Sequence, residues 1–336
     1  MPRLVSEVTE IVTGLGMLGL PTIDEALAAR PAALVDLDDS TWERLLDAWA
    51  DGSHLAEFHA AFLNGAAFLQ ARDALRGRLP ERIEWRGPAR SMGDDTTPVD
   101  LRVDHVYLVS CKYLSKILAN VSPASLFERA LGSATTRARD GDWYVQVAPA
   151  EYQAMYDATL RRHRPDGMPM RATDLTADHR RALKGALAGA PSDLATEAAY
   201  RELCDVVSRE SAERWSAAVP TLAHRRAMLW RLLRMGAAPY FVLGSQPGRS
   251  LRIRVATPWD WQRSYELRAF DITAGGRAQP SVNWSAVVRD RADRTEREVR
   301  GHVEIRWSHG RFGGLPEAKI YLDTPHHDVP GYIALS

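Results

Sequence analysis

Cysteine is scarce. The two present in 336 residues, Cys111 and Cys204, fall in no CxxC and no Cys/His spacing. This argues against a disulfide framework and a cysteine-based zinc site, and a reducing, cytoplasmic setting is expected. Cys111 reads as a small buried strand residue rather than a nucleophile. No run approaches the ~20 apolar residues that a membrane helix needs. The first residues lack the basic flank and cleavage pattern of a signal peptide. Neither sign of charge dominates, with 43 Lys and Arg against 43 Asp and Glu. Any nucleic-acid surface must therefore come from local segregation of charge. Also absent are a phosphate-binding glycine loop, a nucleophile elbow, an internal repeat and a low-complexity tract.

What is present centres on residues 91–127. Val99–Val103 and Tyr107–Lys112 alternate like two strands about a turn, and each carries a residue costly to place inside a sheet, Asp100 and Lys112. Register decides whether these two meet. A two-residue turn at Asp104-His105 would pair Leu101 with Leu108 and put Lys112 on the wrong face. A three-residue connection, Asp104-His105-Val106, pairs Val103 with Tyr107 and Asp100 with Ser110. Asp100, Ser110 and Lys112 then share a face, with Asp100 and Lys112 about 7–8 Å apart on the diagonal. A slip of one residue flips the whole set.

Asp100, followed by Ser110-x-Lys112 at the end of the next strand, resembles the PD-(D/E)xK nuclease superfamily, the restriction-endonuclease-like fold. The resemblance covers roughly residues 55–130 and rests on a short motif. It implies Asp100 as a metal-binding acid, Lys112 as the catalytic lysine, and Mg²⁺ or Mn²⁺ as cofactor. Ser110 stands where the family carries its second acid, and Val99 separates Pro98 from Asp100. In that family a helix before the catalytic sheet often supplies a further acid. Glu57 is the first choice for that role, Asp95 the second and Glu84 the third. The ordinary alternative is a solvated sheet face whose Asp–Lys pair contributes ~0–1 kcal/mol.

Elsewhere, Val5–Leu20 reads as a short helix or loop with no visible function. Thr22-x-x-Glu25 and Ser40-x-x-Glu43 are capping-box patterns. A longer helix is expected over Ser53–Ala74, with Gly65 permitting close approach and Glu57 and Asn64 on one stripe. Ser122-Pro123 starts a helix, and Trp143–Ala148 alternates like a strand. Residues 149–235 read as helices with a basic zone from Arg161 to Lys184. From Pro239 the chain is strand-rich, with arginines interleaved among Trp259, Trp261, Trp284 and Trp307. That mixture suits nucleic acid and an ordinary sheet equally. His326-His327-Asp328 is read as a surface loop in preference to a metal site.

The expected architecture is α/β: a restriction-endonuclease-like core with N-terminal helices over 1–148, a helical segment over 149–235 and a β-rich module over 236–336. The expected function is a metal-dependent endonuclease acting on DNA, with RNA as the alternative to DNA, in restriction or mobile-element defence. A homodimer or a defence-system protein is the expected protein partner, and no membrane is involved. The alternative is a non-catalytic nucleic-acid-binding or assembly subunit with a degenerate nuclease fold.

Overall fold

The structure is a computed structural model describing residues 2–87, 99–113, 117–131, 141–163, 165–188, 193–246, 249–276, 278–307 and 310–336. The chain is mixed α/β and forms two compact units, each built from separated stretches. Met1–Ser115, Arg234–Tyr265 and Pro325–Ser336 make the first; Lys116–Leu233 and Glu266–Thr324 make the second.

In chain order, the first unit begins with α1 (Pro2–Gly16), α2 (Ile23–Ala29), β1 (Leu34–Val35), α3 (Asp39–Ala50) and α4 (Leu55–Gln70). Strands β2 (Ile83–Trp85), β3 (Leu101–Val103) and β4 (Tyr107–Tyr113) follow. The second unit takes β5 (Ile117–Val121), α5 (Pro123–Phe127), α6 (Trp143–Val147), α7 (Pro149–His163), α8 (Ala177–Leu187), α9 (Leu194–Ala218) and α10 (Leu222–Leu232). The chain then returns to the first unit with β6 (Tyr240–Gln246), β7 (Arg249–Val255) and α11 (Pro258–Ser264). Strands β8 (Tyr265–Ala274), β9 (Ser281–Asp290), β10 (Glu296–Trp307) and β11 (Pro316–Leu322) complete the second unit, and β12 (Tyr332–Ala334) closes the first.

The first unit is organised around a seven-stranded mixed sheet in the order β1-β2-β3-β4-β6-β7-β12. Strands β2, β3 and β4 form an antiparallel meander, and β6 lies parallel to β4. The stretch expected to be a short helix or loop is the fifteen-residue α1. Val8, Ile11, Val12 and Leu15 recur at helical spacing and are fully buried. Helix α1 crosses α4 where two glycines meet. A Cβ on Gly65 would collide with the Thr13 carbonyl, and one on Gly16 with the Phe62 carbonyl. The close approach read from Gly65 is present. Helix α3 is capped by Asp38, whose carboxylate accepts from the Thr41 amide at 2.7 Å, and not by Ser40 as the capping-box pattern suggested. Thr22 caps α2 as expected.

The second unit carries a five-stranded sheet in the order β5-β11-β10-β9-β8. Its inward row is strictly alternating: Val299, Val303, Ile305 and Trp307 on β10, and Val282, Trp284, Ala286 and Val288 on β9, are all buried. Trp284 and Trp307 therefore fill core and offer no free ring to a base. Two sequence expectations are corrected here. Trp143–Val147 is a helical turn, because Asp142 caps it by accepting from the Tyr144 amide. It is pinned by Trp143 Nε1–H donating to Ser211 Oγ (3.0 Å) and the Tyr144 hydroxyl donating to the Ile305 carbonyl (2.8 Å). The strands after Pro239 also do not stay together: β6, β7 and β12 extend the first sheet, while β8–β11 build the second.

Candidate functional site

The β3–β4 hairpin sets the register. Asp104 and His105 both adopt positive φ, 48° and 60°, a region that Asp, Asn and His tolerate better than most residues. The Val106 amide closes the turn on the Val103 carbonyl at 3.1 Å. Val106 is then an extra residue, so that Val103 pairs with Tyr107 and Leu101 with Val109. This is the register of the three-residue connection, reached by a two-residue turn with one bulged residue. Ser110 and Lys112 point to one face of β4, opposite Val242 and Gly244 of β6.

Asp100 lies one residue before β3. Its backbone is still in the ladder, with its amide donating to the Val109 carbonyl and its carbonyl accepting from the Arg86 amide, both at 2.9 Å. Its side chain then continues the pairing. Oδ2 accepts from the Cys111 amide at 2.6 Å and from the Ser110 hydroxyl at 3.1 Å. Asp100 and Ser110 are thus brought together, and Oδ1 takes no hydrogen bond among the described residues. Lys112 is half-buried. Its neighbour across the pairing is Gly244, where a Cβ would press on the Lys112 carbonyl and Cβ. Among the described residues the Lys112 ammonium makes no direct hydrogen bond or ion pair, but its charge acts on Glu10.

Glu10 is the residue that the sequence reading passed over. It projects from α1, and its Oε2 accepts from Trp85 Nε1–H at 2.7 Å. Burial, and next the charge of Asp100, push its carboxyl up to about 7; the Trp85 bond and Lys112 pull the other way. Glu7, one turn earlier, adds a further upward push. Both Glu7 oxygens are already held by Arg44, at 3.1 and 3.2 Å. The Cys111 thiol is raised well above its ordinary range by burial, then by Asp100 and Glu10. Tyr240, at the start of β6, is raised by burial, with Arg234 opposing and Asp100 adding to the shift. Three groups of the first unit thus feel Asp100.

The other expected site residues fall elsewhere. Glu57 faces His54 Nδ1 at 3.8 Å near the start of α4 and makes no interaction with Asp100 among the described residues. Asp95 lies outside the described residues. Glu84 is buried on β2 among Arg82, Arg86 and Arg102, with His105 Nδ1 3.1 Å away. His326 stacks on Tyr332, with ring centroids 6.0 Å apart, and His327 sits 3.6 Å from Asp328. Among the described residues no group of three or more His, Cys, Asp or Glu side chains is arranged to hold a metal ion.

The donor set still suits a hard divalent cation. Mg²⁺ is commonly held by one or two carboxylates, with water and substrate phosphate completing its octahedron. Glu10 and Asp100 each commit one oxygen to neutral donors and keep the other open among the described residues. Cations bound to both carboxyls would also relieve the repulsion that raises Glu10. The chain matches no protein-family model, no curated protein and no solved structure.

Proposed function

We propose that this chain is a metal-dependent nuclease that hydrolyses phosphodiester bonds, with DNA as substrate, on a restriction-endonuclease-like core. The observation that carries the reading is that the hairpin brings Asp100 to Ser110 on the face shared with Lys112, while the charges of Asp100 and Lys112 both act on the buried carboxyl of Glu10. The context of the motif supports it: a helix packed on the sheet, a strand, then the hairpin carrying both residues. Ser110 stands in the position of the second acid, and Glu10 is the carboxylate best placed to replace it.

Glu10 and Asp100 would hold Mg²⁺ or Mn²⁺. When bound, the metal would lower the pKa of a coordinated water and neutralise charge on the scissile phosphate. The chain's own groups have separate tasks. Trp85 fixes the Glu10 carboxyl through its indole N–H. Ser110 and the Cys111 amide fix Asp100. Lys112 supplies a fixed positive charge for the oxygens that become more negative as the phosphorus is attacked.

A second reading has its own support. Asp100 Oδ2 is fully employed in closing the strand pairing, which is what a structural aspartate does. On that reading the chain is a non-catalytic nucleic-acid-binding or assembly subunit. Plasmid DNA incubated with Mg²⁺ or Mn²⁺ separates the two. Wild type should nick or linearise it, and Lys112→Ala should lose activity by about 10²–10³, the usual effect of removing one preorganised charge stabiliser. Equal cleavage by wild type and Lys112→Ala would assign the activity to something else.

A further inference from the structure

Glu84 sits on β2 directly opposite Arg102 of β3, which places it on the sheet face shared by Asp100, Ser110 and Lys112. Its side chain is only 9% exposed, yet it is surrounded by cations. Arg82 Nε lies 3.1 Å away, His105 Nδ1 3.1 Å, Arg86 3.8 Å and Arg102 4.0 Å. One carboxylate cannot neutralise the guanidiniums of both Arg82 and Arg102. Arg82, Arg102 and His105 also keep much of their side-chain surface in solvent, 48%, 41% and 67%. The neighbouring Asp104 is occupied separately, accepting from Arg78 at 2.7 Å and from the Glu81 and Arg82 amides. It fixes the start of β2 without drawing charge from the Glu84 group.

Arg102 stands two residues along the strand from Asp100, a spacing of about 7 Å. A strip of exposed positive charge therefore begins beside the acid of the candidate site and runs toward the hairpin turn. A solvated face would be expected to alternate its signs. Here Glu84 is buried beneath the arginines and orients their outer faces.

We infer that Arg82, Arg102 and His105, gathered over Glu84, form a track for the phosphate backbone of duplex DNA leading to the Asp100–Lys112 end of the sheet. The inference takes its choice of polyanion from the nuclease reading. Phosphate contacts displace condensed cations, and each lowers the slope of log affinity against log salt by about 0.9 on B-DNA. Such contacts set position and affinity but read no sequence.

The test is binding of a fluorescent DNA duplex in EDTA across a salt series, so that cleavage does not enter. Arg82→Gln and Arg102→Gln should each flatten the salt slope by about 0.9, which corresponds to about fivefold weaker binding at 0.15 M salt. Glu84→Gln, by removing the buried negative charge, should tighten binding. Arg268→Gln, on the second unit, should leave the slope unchanged. A folded Arg82→Gln/Arg102→Gln variant with the wild-type slope, or a wild type that binds no duplex, overturns the track. The two readings fail separately. Duplex binding with the predicted slopes but no cleavage in Mg²⁺ removes the nuclease and leaves the track. Cleavage with unaltered slopes removes the track and leaves the nuclease.

Discussion

Trp85 Nε1–H donates to Glu10 Oε2 at 2.7 Å, joining the first strand of the meander to the helix that lies on it. The bond aims a carboxyl whose ionisation is opposed by burial and by Asp100. If both acids hold a cation, the pair should report it. Wild type should gain thermal stability in millimolar Mn²⁺, since a ligand at 100 times its Kd stabilises the native state by about 2.7 kcal/mol. Glu10→Gln keeps an acceptor for Trp85 but loses the charge, and should abolish that shift and most cleavage. Trp85→Phe frees the carboxyl to rotate and should weaken the shift without abolishing it. An unchanged Mn²⁺ response in Glu10→Gln would remove Glu10 from the metal site.

Helix α1, which carries Glu10, lies very close to α4. Gly65→Ala places a methyl against the Thr13 carbonyl, one turn beyond Glu10. Backbone carbonyls cannot swing aside as flexible side chains do, so the helices must separate. Overpacking of this kind costs about 1–3 kcal/mol, and here it should also reduce cleavage by withdrawing Glu10. Urea unfolding and plasmid cleavage on the same preparation check both effects. A loss of stability with full activity would show that α1 does not position the site.

The contrast between Asp100 and Glu10 explains what could be read from the chain alone. The hairpin could be narrowed to two registers because it is local: both alternating runs lie within fifteen residues of each other, and the structure takes the odd-length one, with Asp104 and His105 at positive φ. Glu10 could not be read, because nothing in residues 5–20 tells how closely α1 approaches the sheet. That approach is made at Gly14, where a Cβ would meet Leu34, Ile83 and Leu101 of the sheet, a tertiary fact. The joining of β6 to β4 was equally hidden. Its strands were recognised, but parallel pairing with a strand more than a hundred residues away leaves no local mark. Trp143–Val147 was misread because five residues are too few for a period of two to be distinguished from a helical turn capped by Asp142.

Acid should loosen the hairpin turn through Asp104. Burial works against ionisation of Asp104, but the Arg82 amide, the Arg78 guanidinium and the Glu81 amide together hold its pKa below the ordinary carboxylate value. A folded-state pKa below the unfolded one contributes stability that is present above the unfolded value of about 4 and is lost as pH falls through the folded value. The Asp104→Asn variant should therefore be less stable than wild type at pH 7, by about 1–3 kcal/mol. The difference should shrink as pH falls below 4. Thermal melts from pH 3 to 7 test this, and a constant difference across that range would mean that Asp104 acts without its charge.

Asp100 carries two tasks that substitution can separate. Its Oδ2 satisfies the Cys111 amide and the Ser110 hydroxyl, where the regular strand pairing has run out. Asn retains a carbonyl oxygen for those donors but has no charge for a cation. Ala has neither, and leaves a largely buried amide without its partner, at a cost of about 1–3 kcal/mol. Asp100→Asn should therefore melt close to wild type in EDTA, lose the Mn²⁺ response and lose cleavage by at least the factor expected for Lys112→Ala. Asp100→Ala should melt lower in EDTA as well. Ser110→Ala should be the mildest, since the Cys111 amide still holds Oδ2 and a hydroxyl is a poor metal ligand. The informative case is Asp100→Asn with full stability. If it also cleaves DNA at the wild-type rate, Asp100 serves only the fold, and the non-catalytic reading of this hairpin takes its place.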